Sequence, residues 1–201
     1  MVEERQRRGA TAVLPAPKRA AGPWVRVRRA RTTAELADFR AGYASASGYR
    51  VAQDYLQRAA VFVAVRKQLV LGGFVLNTEP PLRTMARLPG PEQRRLAAAF
   101  PAGDTVEVTC VWLAPPARGP IASTALWSHL MWRTARSHTA HVVFGTEVDR
   151  LRQLYERLRP QMLYTGRVRV DGLERHGWVY AIPNGRWPEA LLRLLVARWR
   201  R

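Results

Sequence analysis

The residues with the most chemical content lie between Glu107 and Arg133. Thr105-Val106-Glu107-Val108-Thr109-Cys110-Val111-Trp112-Leu113 alternates at the period of a strand. One face would carry Val106, Val108, Cys110 and Trp112, the other Thr105, Glu107, Thr109 and Val111. A turn rich in Pro, Gly and Arg follows, and Ser123 or Thr124 is placed to cap a helix through Leu126, Trp127, Leu130 and Met131. Arg118 and Gly119 in that turn, with Ser123 and Thr124 at the helix start, are the residue types that hold a phosphate where backbone N–H groups converge. The same segment also reads as an ordinary strand-to-helix connection with a Ser/Thr cap. Glu107 is either a paired structural carboxylate or, in a cleft, a general base or orienting group.

Other reactive types carry less. His129 and His138 are nine apart, His141 begins a strand and His176 falls in the expected turn Gly172 to Gly177. With the lone Cys110 they show no metal-ligand spacing, so no metal site is expected. Cys110 has no histidine near it in sequence and reads as core. Trp112, Trp127 and Trp132 read as core or pocket walls rather than base-stacking platforms.

The elements that position these residues follow from periodicity. Residues 1–23 hold Pro15, Pro17, Pro23 and scattered Arg, and are expected to be a disordered basic tail. Trp24 to Arg28 alternates as a strand, and Thr32 or Thr33 caps a helix through Leu36 and Phe39. Residues 59–65 and 69–76 form an antiparallel hairpin across Arg66-Lys67-Gln68. A helix runs from about Pro91 to Phe100, a strand over 140–146, then a helix with the stripe Val148, Leu151, Tyr155, Leu158, which Pro160 ends. Two strands near 162–170 and 177–182 follow, and residues 186–201 form a basic amphipathic helix with Leu191, Leu194 and Leu195. The order predicts an α/β (α+β) domain over 24–185, a sheet with helices on its faces.

At 201 residues and 47% hydrophobic content the chain can bury one core. A single cysteine excludes a disulfide scaffold and fits a reducing compartment. No apolar run spans a membrane and no signal segment is visible, so a soluble, cytoplasmic protein is expected. The net charge is +18, with +7 in residues 1–31 and +4 in 186–201. That field attracts anions: nucleic acid, an anionic membrane, a phosphorylated cofactor or an acidic carrier protein. Genomic base composition alone also gives a chain so rich in Ala, Arg and Pro.

The order of elements, and the Glu strand followed by an Arg loop, resemble the GNAT acyltransferase superfamily. Within it the likeness is nearer to acyl-homoserine-lactone synthases and N-acyl amino acid synthases. It rests on Asp54-Tyr55 before the hairpin, on Val70-Leu71-Gly72-Gly73-Phe74-Val75-Leu76, on Thr78-Glu79-Pro80-Pro81-Leu82 with Phe100-Pro101, on Val106-Glu107-Val108-Thr109, and on Arg118 with Ser123-Thr124. The resemblance covers about residues 32–182. It implies a mixed, mostly antiparallel sheet flanked by helices and an N-acyltransferase working by direct attack of an amine on a thioester. Glu107 would take the amine proton through water. Val111 to Leu113 would supply oxyanion donors, and Arg118, Gly119, Ser123 and Thr124 would hold the donor phosphate. Asp54 and Thr109 would touch the substrate.

Leu154-Tyr155-Glu156-Arg157-Leu158 resembles the segment in which such enzymes place a thiolate-protonating tyrosine; Tyr155 equally fills the apolar stripe. A free phenol of pKa near 10 suits a thiolate leaving group. Cys110 and Asn77 stand where the lactone synthases carry Arg, so lactone formation from S-adenosylmethionine is not expected. The CoA-binding loop would align as Arg118-Gly119-Pro120-Ile121-Ala122-Ser123, with Ile121 and Ser123 in place of glycines. The implied donor is therefore an acyl-phosphopantetheine on an acidic acyl carrier protein or on CoA, with no tightly bound cofactor. Two alternatives remain: a transferase of this fold using charged tRNA, or a non-catalytic module binding nucleic acid.

Overall fold

The computed structural model describes residues 25–199. The tail expected over 1–23, and Trp24, lie outside the described residues. The elements are β1 Arg26–Arg29, α1 Thr33–Ser47, α2 Gln53–Arg58, β2 Ala60–Arg66, β3 Leu69–Asn77, α3 Arg83–Ala86, α4 Gly90–Ala99 and β4 Thr105–Leu113. They continue as α5 Pro120–Ala135, β5 His141–Thr146, α6 Asp149–Glu156, β6 Gln161–Val170, β7 Leu173–Pro183 and α7 Trp187–Trp199. One seven-stranded sheet has the order β1-β2-β3-β4-β5-β7-β6, antiparallel except for the pair β4–β5. This is the mixed, mostly antiparallel α/β sheet that the resemblance implied. No helix among the described residues is long and apolar enough to cross a membrane. The side chains of Leu191, Leu194 and Leu195 lie outside the described residues.

The two faces of the sheet are covered differently. Phe62, Phe74, Val106, Val108 and Phe144 pack with Leu126 and Leu130 of α5 and Trp187 of α7. On the opposite face Val61, Val63, Val75, Cys110 and Trp112 pack with Phe39 and Tyr43 of α1 and Tyr55 of α2. Val143, Val179 and Ala181 of that face meet Met85 of α3 and Leu96 of α4.

Three local readings need correction. The face-sharing expected along β4 breaks at Cys110, whose φ is +51°. Val75 pairs with Thr109 and Gly73 with Trp112, so Cys110 and Val111 together oppose Phe74. One extra residue reverses the alternation. Val106 and Val108 therefore face α5, whereas Cys110 and Trp112 face α1. Second, Ser123 and Thr124 do not cap α5: the N-cap is Gly119, with Pro120 in the first turn, where a missing N–H costs nothing. Third, His176 is not in a turn; it pairs with Arg167 inside the β6–β7 hairpin, whose turn is Asp171-Gly172.

The start of α1 is set by its cap. Thr32 Oγ1 accepts from the Glu35 N–H at 3.2 Å, and Glu35 accepts from the Arg31 N–H and from the Arg28 guanidinium of β1. The Arg28 hydrogen bond, with the Arg31 and Thr32 backbone N–H groups, lowers the Glu35 pKa to about 2. A carboxyl depressed in the folded state stabilises above its unfolded pKa, and that contribution is lost as pH falls toward the folded value. Glu35→Gln is therefore expected to cost about 1 kcal/mol at pH 7. The gap to the native protein should close between about pH 5 and pH 2 in denaturant melts; a gap independent of pH would exclude this account.

Candidate active site

The pairing of β4 with β5 is short. It runs only from Thr105↔His141 to Glu107↔Val143, although β4 continues to Leu113 and β5 to Thr146. Beyond Glu107 the two strands part, and a cavity of about 650 Å³ opens between them. The splayed length of β4 presents Val108 to Leu113 to it, and β5 presents Gly145 and Thr146. The Ala114 N–H donates to Leu71 O at 2.8 Å, so alternation turns the Leu113 amide away from β3, toward the open side. The Leu113 carbonyl accepts from Arg118 Nε at 3.1 Å, which fixes the loop onto the end of the strand.

At the same end α5 begins. Its first turn has no side-chain cap, Gly119 precedes it, and Ser123 is buried against the cavity. A sixteen-residue helix with unsatisfied first-turn N–H groups favours an anion there. Apolar side chains of Leu126, Trp127, Leu151 and Leu154 line the middle of the cavity. The lining also includes Tyr43, Tyr49, Arg83, Arg87 and Trp178.

Tyr155 of α6 reaches the cavity, its ring edge-on to Phe144 at 5.1 Å. Burial, with smaller contributions from Tyr43 and Glu147, pushes its pKa well above the ordinary 10 expected for it. The phenol thus stays protonated through the neutral range. It is a weaker acid than a free phenol.

Glu107 is fully buried, and its surroundings differ from those expected of a base. Its carboxylate accepts from Tyr55 Oη at 2.9 Å, from the Arg83 N–H at 2.9 Å and from the Thr84 N–H. It does not line the cavity. All three donors are protein groups, so Glu107 ties α2 and the start of α3 to β4. Thr109, a residue that does line the cavity, has its Oγ1 hydrogen-bonded to the Tyr55 hydroxyl at 2.8 Å.

Of the other residues singled out by sequence, Val111, Leu113, Arg118 and Ser123 line the cavity with Tyr155 and Thr109. Gly119 caps the adjoining helix. Thr124 is half-buried and outside the lining, and Asp54 is exposed on α2, away from it. Its neighbour Tyr55 is the member of that pair whose side chain reaches β4, at Glu107 and Thr109. Trp112 and Trp127 are cavity walls as expected, but Trp132 is 42% exposed, with the Arg133 and Arg136 guanidiniums 4.5 and 4.6 Å from its ring. Burial pushes the Cys110 thiol up.

Sequence reasoning missed Arg83, Arg87 and Glu147. The two arginines fall four apart after Pro81, a spacing that puts them on one side of a helical turn. Arg83 donates to Arg50 O at 3.0 Å and approaches Cys110 Sγ at 3.7 Å. Arg87 forms an ion pair with Glu147. With Arg118 and Arg150 also in the lining, the cavity carries four guanidiniums and one carboxylate, a field suited to anionic ligands. No group of three potential metal ligands occurs among the described residues.

No protein-family model and no curated protein matches the sequence. Solved structures do. FeeM, an N-acyl amino acid synthase from uncultured soil microbes, superposes with a TM-score of 0.66 at 12% identity, covering 88% of this chain and 97% of that one. A GCN5-related N-acetyltransferase from Brucella melitensis gives 0.54 at 15% identity, covering 90% and 86%. Arabidopsis thaliana NAA60, in complex with acetyl-CoA, gives 0.56 at 11% identity, covering 80% and 98%. The chain has the GNAT fold.

Proposed function

We propose that the protein is an N-acyltransferase that moves an acyl group from a phosphopantetheine thioester to an amine. The observation that carries this reading is the parting of β4 and β5 beyond Glu107↔Val143 over a cavity bounded by the α5 N-terminus. An extended pantetheine arm carries amide groups of its own and can pair with the freed edge of β4 as a further strand would. Its phosphate would lie at the Arg118-Gly119 turn and the start of α5. The thioester would lie at Val111 to Leu113, whose outward amide stabilises the oxyanion. Tyr155 would donate to the departing thiolate. The likeness to FeeM and to the acetyltransferases supports the reading at the level of fold.

The donor we favour is an acyl carrier protein rather than CoA. Ile121, 47% exposed, and Pro120 occupy the first turn of α5, where glycines would leave room for a pyrophosphate. Apolar Val148 and Leu151, each 38% exposed, stand at the cavity mouth beside Arg150. An apolar lip with arginines suits an acidic protein carrying the arm. The apolar middle of the cavity has room for an acyl chain. The test is product formation: an acyl-phosphopantetheine thioester and an amine should yield the amide and one equivalent of thiol. Absence of amide across a panel of donors and amines, with salt-sensitive binding of charged tRNA instead, would replace this reading with transfer from tRNA.

A further inference from the structure

The amine that attacks a thioester must lose a proton, and Glu107 is not placed to take it. Among the described residues, Glu147 is the one carboxylate in the cavity lining, and no histidine lines it. Glu147 follows directly on β5, at the point where that strand has left β4. The Val148 N–H bonds to Thr146 Oγ1 at 3.1 Å, a turn that fixes the chain around Glu147. Its side chain is 11% exposed, and Oε1 is held by Arg87 of the α3 segment. Tyr155 lines the same cavity, and the Glu147 charge is among the causes that raise its pKa.

We propose that Glu147 is the general base of the acyl transfer and that Arg87 is the positioning residue that aims it; this rests on the acyltransferase reading above. The amine lone pair attacks the thioester carbonyl carbon, and the C=O π pair moves to oxygen. The amine proton passes to Glu147 Oε2, the oxygen Arg87 does not hold. On collapse the C=O re-forms and the C–S bond breaks. The sulfur takes a proton from Tyr155, and the Glu147 proton returns to the Tyr155 oxygen through the cavity. Protons and charge balance, and nothing is oxidised or reduced. Base and acid are thus different side chains on one short stretch of chain, residues 147–155, while the groups of β4 only hold the carbonyl.

The other titratable and charged groups of the cavity lining are Tyr43 of α1, Tyr49 after it, Arg83 and Arg87 of the α3 segment, Cys110 of β4, Arg118 of the following turn, and Arg150 and Tyr155 of α6. None of them is a second carboxylate or imidazole, so removal of Glu147 leaves no substitute base.

The experiment compares native protein with Glu147→Gln in amine-dependent thiol release across pH, with the same donor. The variant should lose about a hundredfold or more in kcat at pH 7, the size of a lost general base, with donor KM within threefold. The deficit should narrow as pH rises toward the pKa of the free amine, because solvent then removes the proton. Glu147→Asp keeps the charge and withdraws it by one methylene; it should retain the fold by thermal melting and lose about tenfold in kcat. Native turnover with Glu147→Gln within threefold at every pH, or an unaltered Glu147→Asp, overturns the assignment. If Glu147→Gln does not fold, Glu147→Asp alone decides. Absence of turnover by native protein with every donor overturns the acyltransferase reading itself, and the base with it.

Discussion

Glu107→Ala is expected to lose about 3 kcal/mol of stability, which for a chain of this size is a fall of roughly 6–12 °C in Tm. The carboxylate has no contact with solvent, and it is the acceptor for the Tyr55 hydroxyl and for the Arg83 and Thr84 backbone N–H groups. Truncation leaves three buried donors unpaired, each costing about 1–3 kcal/mol less whatever a captured water restores. Because those donors belong to α2 and to the segment carrying Arg83 and Arg87, activity should fall with stability. Glu107→Gln keeps the shape but turns an NH₂ toward one donor, so it should destabilise less. An unchanged melt with strongly reduced turnover would instead mean that Glu107 works in the chemical step, and that the three hydrogen bonds contribute little.

The second large effect concerns the donor. Acyl-carrier-protein thioesters are expected to exceed the matching acyl-CoA by at least tenfold in kcat/KM at low ionic strength. The chain carries +18, and the mouth of the cavity has Arg118 and Arg150 exposed beside Ile121, Val148 and Leu151. Steering of an acidic partner raises the association rate, and salt weakens it as the Debye length falls from about 10 Å at 0.1 M to about 3 Å at 1 M. The advantage of the carrier protein should therefore shrink through that range while the acyl-CoA rate changes less. Arg118→Ala should weaken both donors, since each brings a phosphate to the same turn. Equal rates at low salt, or a preference for CoA, would assign the cavity to free CoA thioesters.

Much of the frame was legible because its signals are local. The Thr32 cap, the hairpin across Arg66-Lys67-Gln68 and the alternation of β4 up to Thr109 depend on neighbours in sequence. So did the Arg118 turn, since a strand end, a glycine and a helix start are adjacent in the chain. What could not be read depended on register and tertiary contact. The bulge at Cys110 needs a non-glycine residue at positive φ, which no residue type announces. The donors that enclose Glu107 are 23, 24 and 52 residues away. Glu147 carries no local signal; only the parting of β4 from β5 makes it a cavity wall. The resemblance directed attention to the carboxylate within β4, whereas the carboxylate that lines the cavity is Glu147, directly after β5.

The central claim is direct transfer from thioester to amine in the cleft between β4 and β5, with no acyl group resting on the protein. Thiol release followed in single-turnover mixing, with and without amine, tests it most directly. The account predicts no thiol burst without amine, and with amine one thiol for each amide at one common rate. A burst equal to the protein concentration in the absence of amine, with an acylated Cys110 found by peptide mass, would contradict it.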